Sequence, residues 1–180
     1  MVPAYRVGAS KTLENAPSGI MAAGICQVEG LFMAKRKDGV SQELDELSST
    51  LVGDALDLLA DGKDVNVLLV VQDQDGAIAS YEFADDGPEA ILLAARDRVT
   101  ALAKTHGDAS EGLGDPIRYA LVYEGMVADD EGAYQDALIL EFGERGYNAY
   151  SAFSLFDGKG AGDGFMWTDP APAGEIEPLL

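Results

Sequence analysis

A chain of 180 residues with 47% apolar side chains is long enough to bury a core and too apolar to be disordered as a whole. Its 32 acidic against 12 basic residues leave a net charge of −20. That charge argues against nucleic acid and anionic membrane as partners, since both are held through Lys and Arg. It is also uneven: residues 1–40 carry a net +2 and the remaining 140 a net −22. The single cysteine, Cys26, excludes an internal disulfide or a thiolate cluster. Met1 to Lys11 lack the charged and apolar regions of a secretory signal, so a cytoplasmic protein is expected.

Residues 1–17, with Pro3, Gly8 and Pro17, read as an irregular arm with a short strand at Tyr5–Val7. Ser18 is expected to cap a helix running to about Lys37, because Met21, Ile25, Val28 and Phe32 step by four, three and four. Lys35, Arg36 and Lys37 then fall in its last turn, where cations complement the helix dipole, and Gly39 ends it. Cys26 lies in this helix as a small apolar residue. The stretch Gly19–Ala34 is too short, and with Gln27 and Glu29 too polar, to cross a membrane.

The next helix is predicted from Ser41, a good cap, to Gly62, with Leu44, Leu47, Leu51, Ala55 and Leu58 as its buried stripe. Glu43, Asp45 and Glu46 suit its first turns. Asp54, Asp57 and Asp61 lie toward the C-terminal end, where the dipole disfavours them, so they must face solvent or something positive. A strand from Val65 to Val71, apolar on both faces, belongs inside a sheet covered on both sides. The turn Asp73–Gly76 returns the chain through Ala77, Ala79, Tyr81 and Phe83. A helix follows from Asp86 or Gly87 to Lys104. Asp86 and Glu89 have capping-box spacing, Pro88 suits the first turn, and Leu92, Ala95, Val99 and Leu102 form the stripe.

A loop from His106 to Pro116 leads to strands at Ile117–Val127 and Tyr134–Phe142, joined by the hairpin Asp129–Gly132, and to a third strand at Tyr147–Phe156. Phe165–Trp167 resumes the pattern after a glycine loop. The result is an α+β fold: a largely antiparallel five- or six-stranded sheet packed with two to three helices. Its order is α-β-β-α-β-β-β after the N-terminal helix, an order shared with profilin-like and roadblock-like domains, without a family signature. Residues 1–40 read as an arm and helix, 41–168 as the α+β domain, and 169–180 as a Pro-rich tail. If the helices at 41–60 and 88–104 cover one face of the sheet, the stripe of Met21, Ile25, Val28 and Phe32 needs another surface. A homodimer through that helix is expected, with the opposite sheet face in a three-layer monomer as the alternative.

His106, the only histidine, precedes Gly107 at a helix end and reads as a C-terminal cap rather than a catalytic group. Asp73 and Asp75 open like a calcium loop, but the glutamate of its twelfth position, counted from Asp73, is missing: Ala84 stands there. Asp157–Gly164 is glycine-rich and contains Lys159, which suits an anion. Asp157 and Asp163 oppose one, and no Ser or Thr follows the lysine. Trp167, near Tyr147, Tyr150 and Phe165, suits an aromatic ligand surface.

The leading expectation is a non-catalytic binding protein that presents an acidic surface to a basic protein partner or to itself. Asp54, Asp57 and Asp61 together with Asp129, Asp130 and Glu131 would form that surface. Lys159 and Trp167 are the candidate ligand contacts, and no cofactor is expected. The alternative is a small-molecule or divalent-metal-dependent enzyme using Asp73, Asp75, Asp157 and Asp163.

Overall fold

A computed structural model describes residues 4–5, 35–84 and 87–180. Ser41 has extended backbone and its hydroxyl accepts from the Leu44 amide at 3.1 Å, so α1 (Gln42–Ala60) starts where its sequence predicts. The amides of Asp61 and Gly62 return to Asp57 and Leu59, and Gly62, at φ 77°, turns the chain away. The helix buries a broader face than its leucine stripe indicates, adding Ser48, Val52 and Leu56, while Leu59 replaces Leu58 as its fully buried end.

Strand β2 (Val67–Asp73) and β3 (Ile78–Phe83) form the first hairpin, followed by α2 (Pro88–Thr105). Strands β4 (Pro116–Ala128), β5 (Tyr134–Glu144) and β6 (Ala149–Asp157) form a meander. The sheet runs β3-β2-β4-β5-β6, each neighbour antiparallel. Two short pieces share the outer edge of β6: β8 (Ala171–Ile176) along Ala149–Phe153, and β7 (Met166–Trp167) at Phe156–Asp157. Strand β1 (Ala4–Tyr5) lies parallel to β4 at Met126–Val127. This is the predicted α+β architecture and element order. One strand, β8, comes from the segment read as a Pro-rich tail; Pro172 sits opposite Ala152 at a register shift, on an edge where its missing amide costs the sheet nothing.

Alternation along the strands separates two cores. Ala120, Val122, Leu138 and Leu140 face Leu51, Ala55 and Leu59 of α1. Leu69, Val71, Tyr119 and Leu121 face Val99 and Leu102 of α2 from the other side. The two helices therefore cover opposite faces, not one shared face, and β2 is apolar on both sides because it lies between them. Leu69, inside β2, is 1% exposed.

Helix α2 begins at Gly87, φ 86°, without a side-chain cap; Pro88 occupies its first turn, and Asp86 lies outside the described residues. Ile91 joins Ala95, Val99 and Leu102 in its buried stripe, with Leu92 half-buried. His106 ends it in the left-handed region at φ 56°, its amide bonded to the Leu102 carbonyl, as the cap the sequence predicts.

The helix expected from Ser18, with Met21, Ile25, Cys26, Val28 and Phe32, and the dimer built on it lie outside the described residues. Its expected last turn is not helical. Lys37 is extended and bridges Tyr147: its amide donates to Gly146 at 2.9 Å and its carbonyl accepts from Asn148 at 2.9 Å. Arg36 donates to the Tyr147 and Leu180 carbonyls. Backbone pairing with the β5–β6 turn takes the groups that a helical turn needs. Among the described residues no helix is long and apolar enough to cross a membrane.

Candidate functional site

Glu43, Glu46, Thr50, Asp54 and Asp57 on α1 and Asp61 at its C-cap follow one another in steps of three or four residues, which places them along one flank. All are exposed. That flank overlooks β3 across a groove of about 360 Å³. Leu47, Leu51, Val70 and Ile78 give the groove its apolar floor, and Glu43, Glu46 and Asp54 its wall. Ile78 is 52% exposed, and Ser80 and Glu82, on the same face of β3, are also exposed.

Strand β3 is the edge of the sheet and pairs only with β2 among the described residues. Half of its backbone amides and carbonyls therefore point outward, beside the acidic flank. Among the described residues little positive charge balances that flank. Lys63 pairs with Asp61 at 3.1 Å, both well exposed. The Arg118 guanidinium lies 3.9 Å from Glu43, but its closer bonds are to Gln72 and Glu144 at 3.1 Å each. Asp54 and Asp57 make no ion pair among the described residues.

The second half of the expected acidic surface has a different job. Asp129 accepts from the amides of Glu131 and Ala133 at 2.9 Å each, and its own amide donates to the Ala133 carbonyl at 2.8 Å. Asp73 repeats the arrangement with Asp75 and Ala77, again at 2.9 Å each. Gly76 and Gly132 sit at φ 85° and 84°, where a glycine is needed. The two hairpins β2–β3 and β4–β5 thus close with one local sequence: Asp, two residues, Gly, Ala. No hydrogen bond or ion pair joins the Asp129–Glu131 tip to the α1 flank.

Asp73 is 4% exposed and also accepts from Gly114 at 2.7 Å. That amide, with those of the turn, holds its carboxyl below the usual range against the opposing effect of burial. Its oxygens are occupied by backbone donors. Asp75 and Asp163 are exposed, and Asp157 accepts from the Gly158 amide. Among the described residues no group of three or more His, Cys, Asp or Glu side chains is placed to hold a metal.

Lys159 is likewise engaged. Its ammonium lies 2.7 Å from Asp64 and 2.8 Å from both oxygens of Glu124, which also accepts from the Val65 amide. Burial would lower this lysine, but its bonds to the two carboxylates outweigh that and hold it above its ordinary value. The same lysine keeps Asp64 low. Next to it, the Gly160 amide donates to Leu59 at 2.9 Å, so the glycine loop seals the C-terminal end of α1. Trp167 stands apart from this clamp, 56% exposed and stacked on buried Phe165 at 5.7 Å.

His106 is exposed, with Nδ1 3.4 Å from Asp115, a carboxylate that Arg145 grips with both guanidinium nitrogens. Asp54, Asp57 and Asp61 were legible in the sequence as a group. Glu43 and Glu46 were missed as members of the same flank, although their spacing continues it. Comparison with protein-family models, curated proteins and solved structures finds no match to this chain.

Proposed function

We propose that the protein is a non-catalytic cytoplasmic binding module that captures a basic, extended segment of a protein partner as an added strand on β3. The observation that carries this reading is the juxtaposition of an open sheet edge with the acidic flank of α1 across an apolar-floored groove. Strand addition supplies affinity through backbone hydrogen bonds, and alternate side chains supply specificity. Residues of the added strand on the α1 side would meet Val70 and Ile78 with their stems and Glu46, Asp54 and Asp57 with their cationic ends. A second copy of this edge would bring acid against acid, so the partner is a different, basic chain. The perturbed ionisable groups favour binding over acid–base chemistry. Asp64, Asp73, Asp108 and Asp115 are held low and Lys159 high, each locked in its charged form far from neutral pH.

The test is stopped-flow association with a Lys-rich extended peptide, alongside the same peptide N-methylated on alternate residues. Capture should be severalfold slower for Asp54→Asn/Asp57→Asn/Asp61→Asn at about 50 mM salt, with the difference closing near ~500 mM as screening shortens the range of charge. Methylation on the pairing edge should abolish binding. Equal capture of the methylated peptide, or an unchanged rate for the triple variant, would sink the proposal.

A further inference from the structure

The flank of α1 opposite the acidic one borders a second, larger opening of about 650 Å³ between the helix, β5–β6 and β8. Its floor is Leu140, Phe142, Tyr150 and Ala152, and its far wall is built from Pro170 and Pro172. Phe142 and Tyr150 pack at 6.1 Å, and the Tyr150 hydroxyl accepts from the Gly39 amide at 3.0 Å, which fixes that ring. The helix side offers Asp45, Ser48, Val52 and Gly53. Gly53 is mid-helix, where glycine weakens the helix, yet a Cβ built on it would meet nothing within 4 Å. The missing side chain widens the cleft. Helix, sheet and proline-bearing edge make the walls stiff, and the volume lies in the range of small-ligand sites.

Among the described residues the charge lining this cleft is one-sided, while Ser49, Tyr150 and Ser151 add neutral hydroxyls. The Ser48 hydroxyl is spent on the Asp45 carbonyl at 3.1 Å. The Asp45 carboxylate has no ion pair or side-chain hydrogen bond among the described residues. Among the described residues this exposed Asp45 is the charged group lining the cleft, and no lysine, arginine or histidine joins it there. An anionic ligand would meet the Asp45 carboxylate, whereas a cation with an apolar body would place its charge at Asp45 and its body on the Phe142–Tyr150 floor. We propose that this cleft is a binding site for a small organic amine with an aromatic or aliphatic body, separate from the peptide groove across the helix.

Titration calorimetry with naphthylethylamine, naphthylethanol and naphthylacetate tests it, since the three share a body and differ in charge. The amine should bind about tenfold tighter than the carboxylate, as expected for gaining one ion pair against adding one repulsion. Gly53→Leu fills the cleft without removing a native contact and should abolish amine binding while leaving the circular dichroism unchanged and the melting temperature equal or higher. Asp45→Asn should bring amine and alcohol to equal affinity. Asp97→Asn, on α2 across the sheet, reports general attraction to an acidic protein and should leave amine affinity unaltered. The proposal is overturned by no amine binding to the wild type, by equal affinity for amine and carboxylate, by undiminished binding in folded Gly53→Leu, or by an equal loss in Asp97→Asn.

Discussion

Gly62 and Gly160 meet backbone to backbone: a Cβ on Gly62 would lie 3.1 Å from the Gly160 Cα, and one on Gly160 would lie 3.2 Å from the Gly62 Cα. Both have positive φ, 77° and 78°. The contact brings the Gly160 amide onto the Leu59 carbonyl and sets Lys159 beside Glu124.

Alanine at either glycine should therefore cost stability through both strain and crowding, at roughly 1–2 kcal/mol for the left-handed backbone alone. Urea denaturation of Gly62→Ala and Gly160→Ala checks this. Midpoints within error of wild type would mean that the glycine loop does not dock on α1.

The twin turns allow an internally controlled comparison. Asp73→Ala removes a carboxylate that serves two turn amides and the distant Gly114 amide in a buried setting, whereas Asp129→Ala removes one from an exposed tip. An unsatisfied buried donor costs ~1–3 kcal/mol, so the Asp73 variant should lose about 2–3 kcal/mol and the Asp129 variant about 1 or less. Equal losses would place the stabilisation in the turn alone and remove any role for the Gly114 bond.

Stability should fall in acid. Asp64, Asp73, Asp115 and Asp108, the last lowered to about 2 from 3.8, have folded pKa values below their unfolded ones. Their contribution is complete above the unfolded value and is lost as pH falls through the folded values, so unfolding should set in below about pH 4. Lys159, raised above 10.5, adds stability that fades only in strong alkali. A melting temperature that is the same at pH 7 and pH 3 would contradict this linkage.

Much of the fold was legible because its signals are local. Ser41 and the leucines after it determine α1, the alternation around Leu69 determines β2, and His106 before Gly107 determines the end of α2. The opposite placement of the two helices was not, since it depends on which parity of β4 each helix meets, and β4 is distant in sequence from α1. Strand β8 was hidden by Pro170 and Pro172, which signal a tail until an edge strand needing bonds on one side only is available. At the site, Asp54, Asp57 and Asp61 were visible, whereas Glu43 and Glu46 looked like ordinary first-turn acids. Nothing near Lys159 in sequence announces that Glu124 will claim its ammonium.

The pairing pattern also dictates how the sheet has to be assembled. Strands β2–β3, β4–β5 and β5–β6 are neighbours along the chain, and two of these hairpins carry the same self-closing aspartate turn. Each can zip from its turn with little loop entropy. The β2–β4 seam is different: Val67 must find Tyr123 across the whole of β3, α2 and the loop beyond it. Closing that seam carries a greater loop-closure entropy than closing either hairpin. A chain in which that seam is open leaves the apolar residues on both faces of β2 without their β4 neighbours, which makes correct pairing of β2 with β4 the step that protects the chain from aggregation.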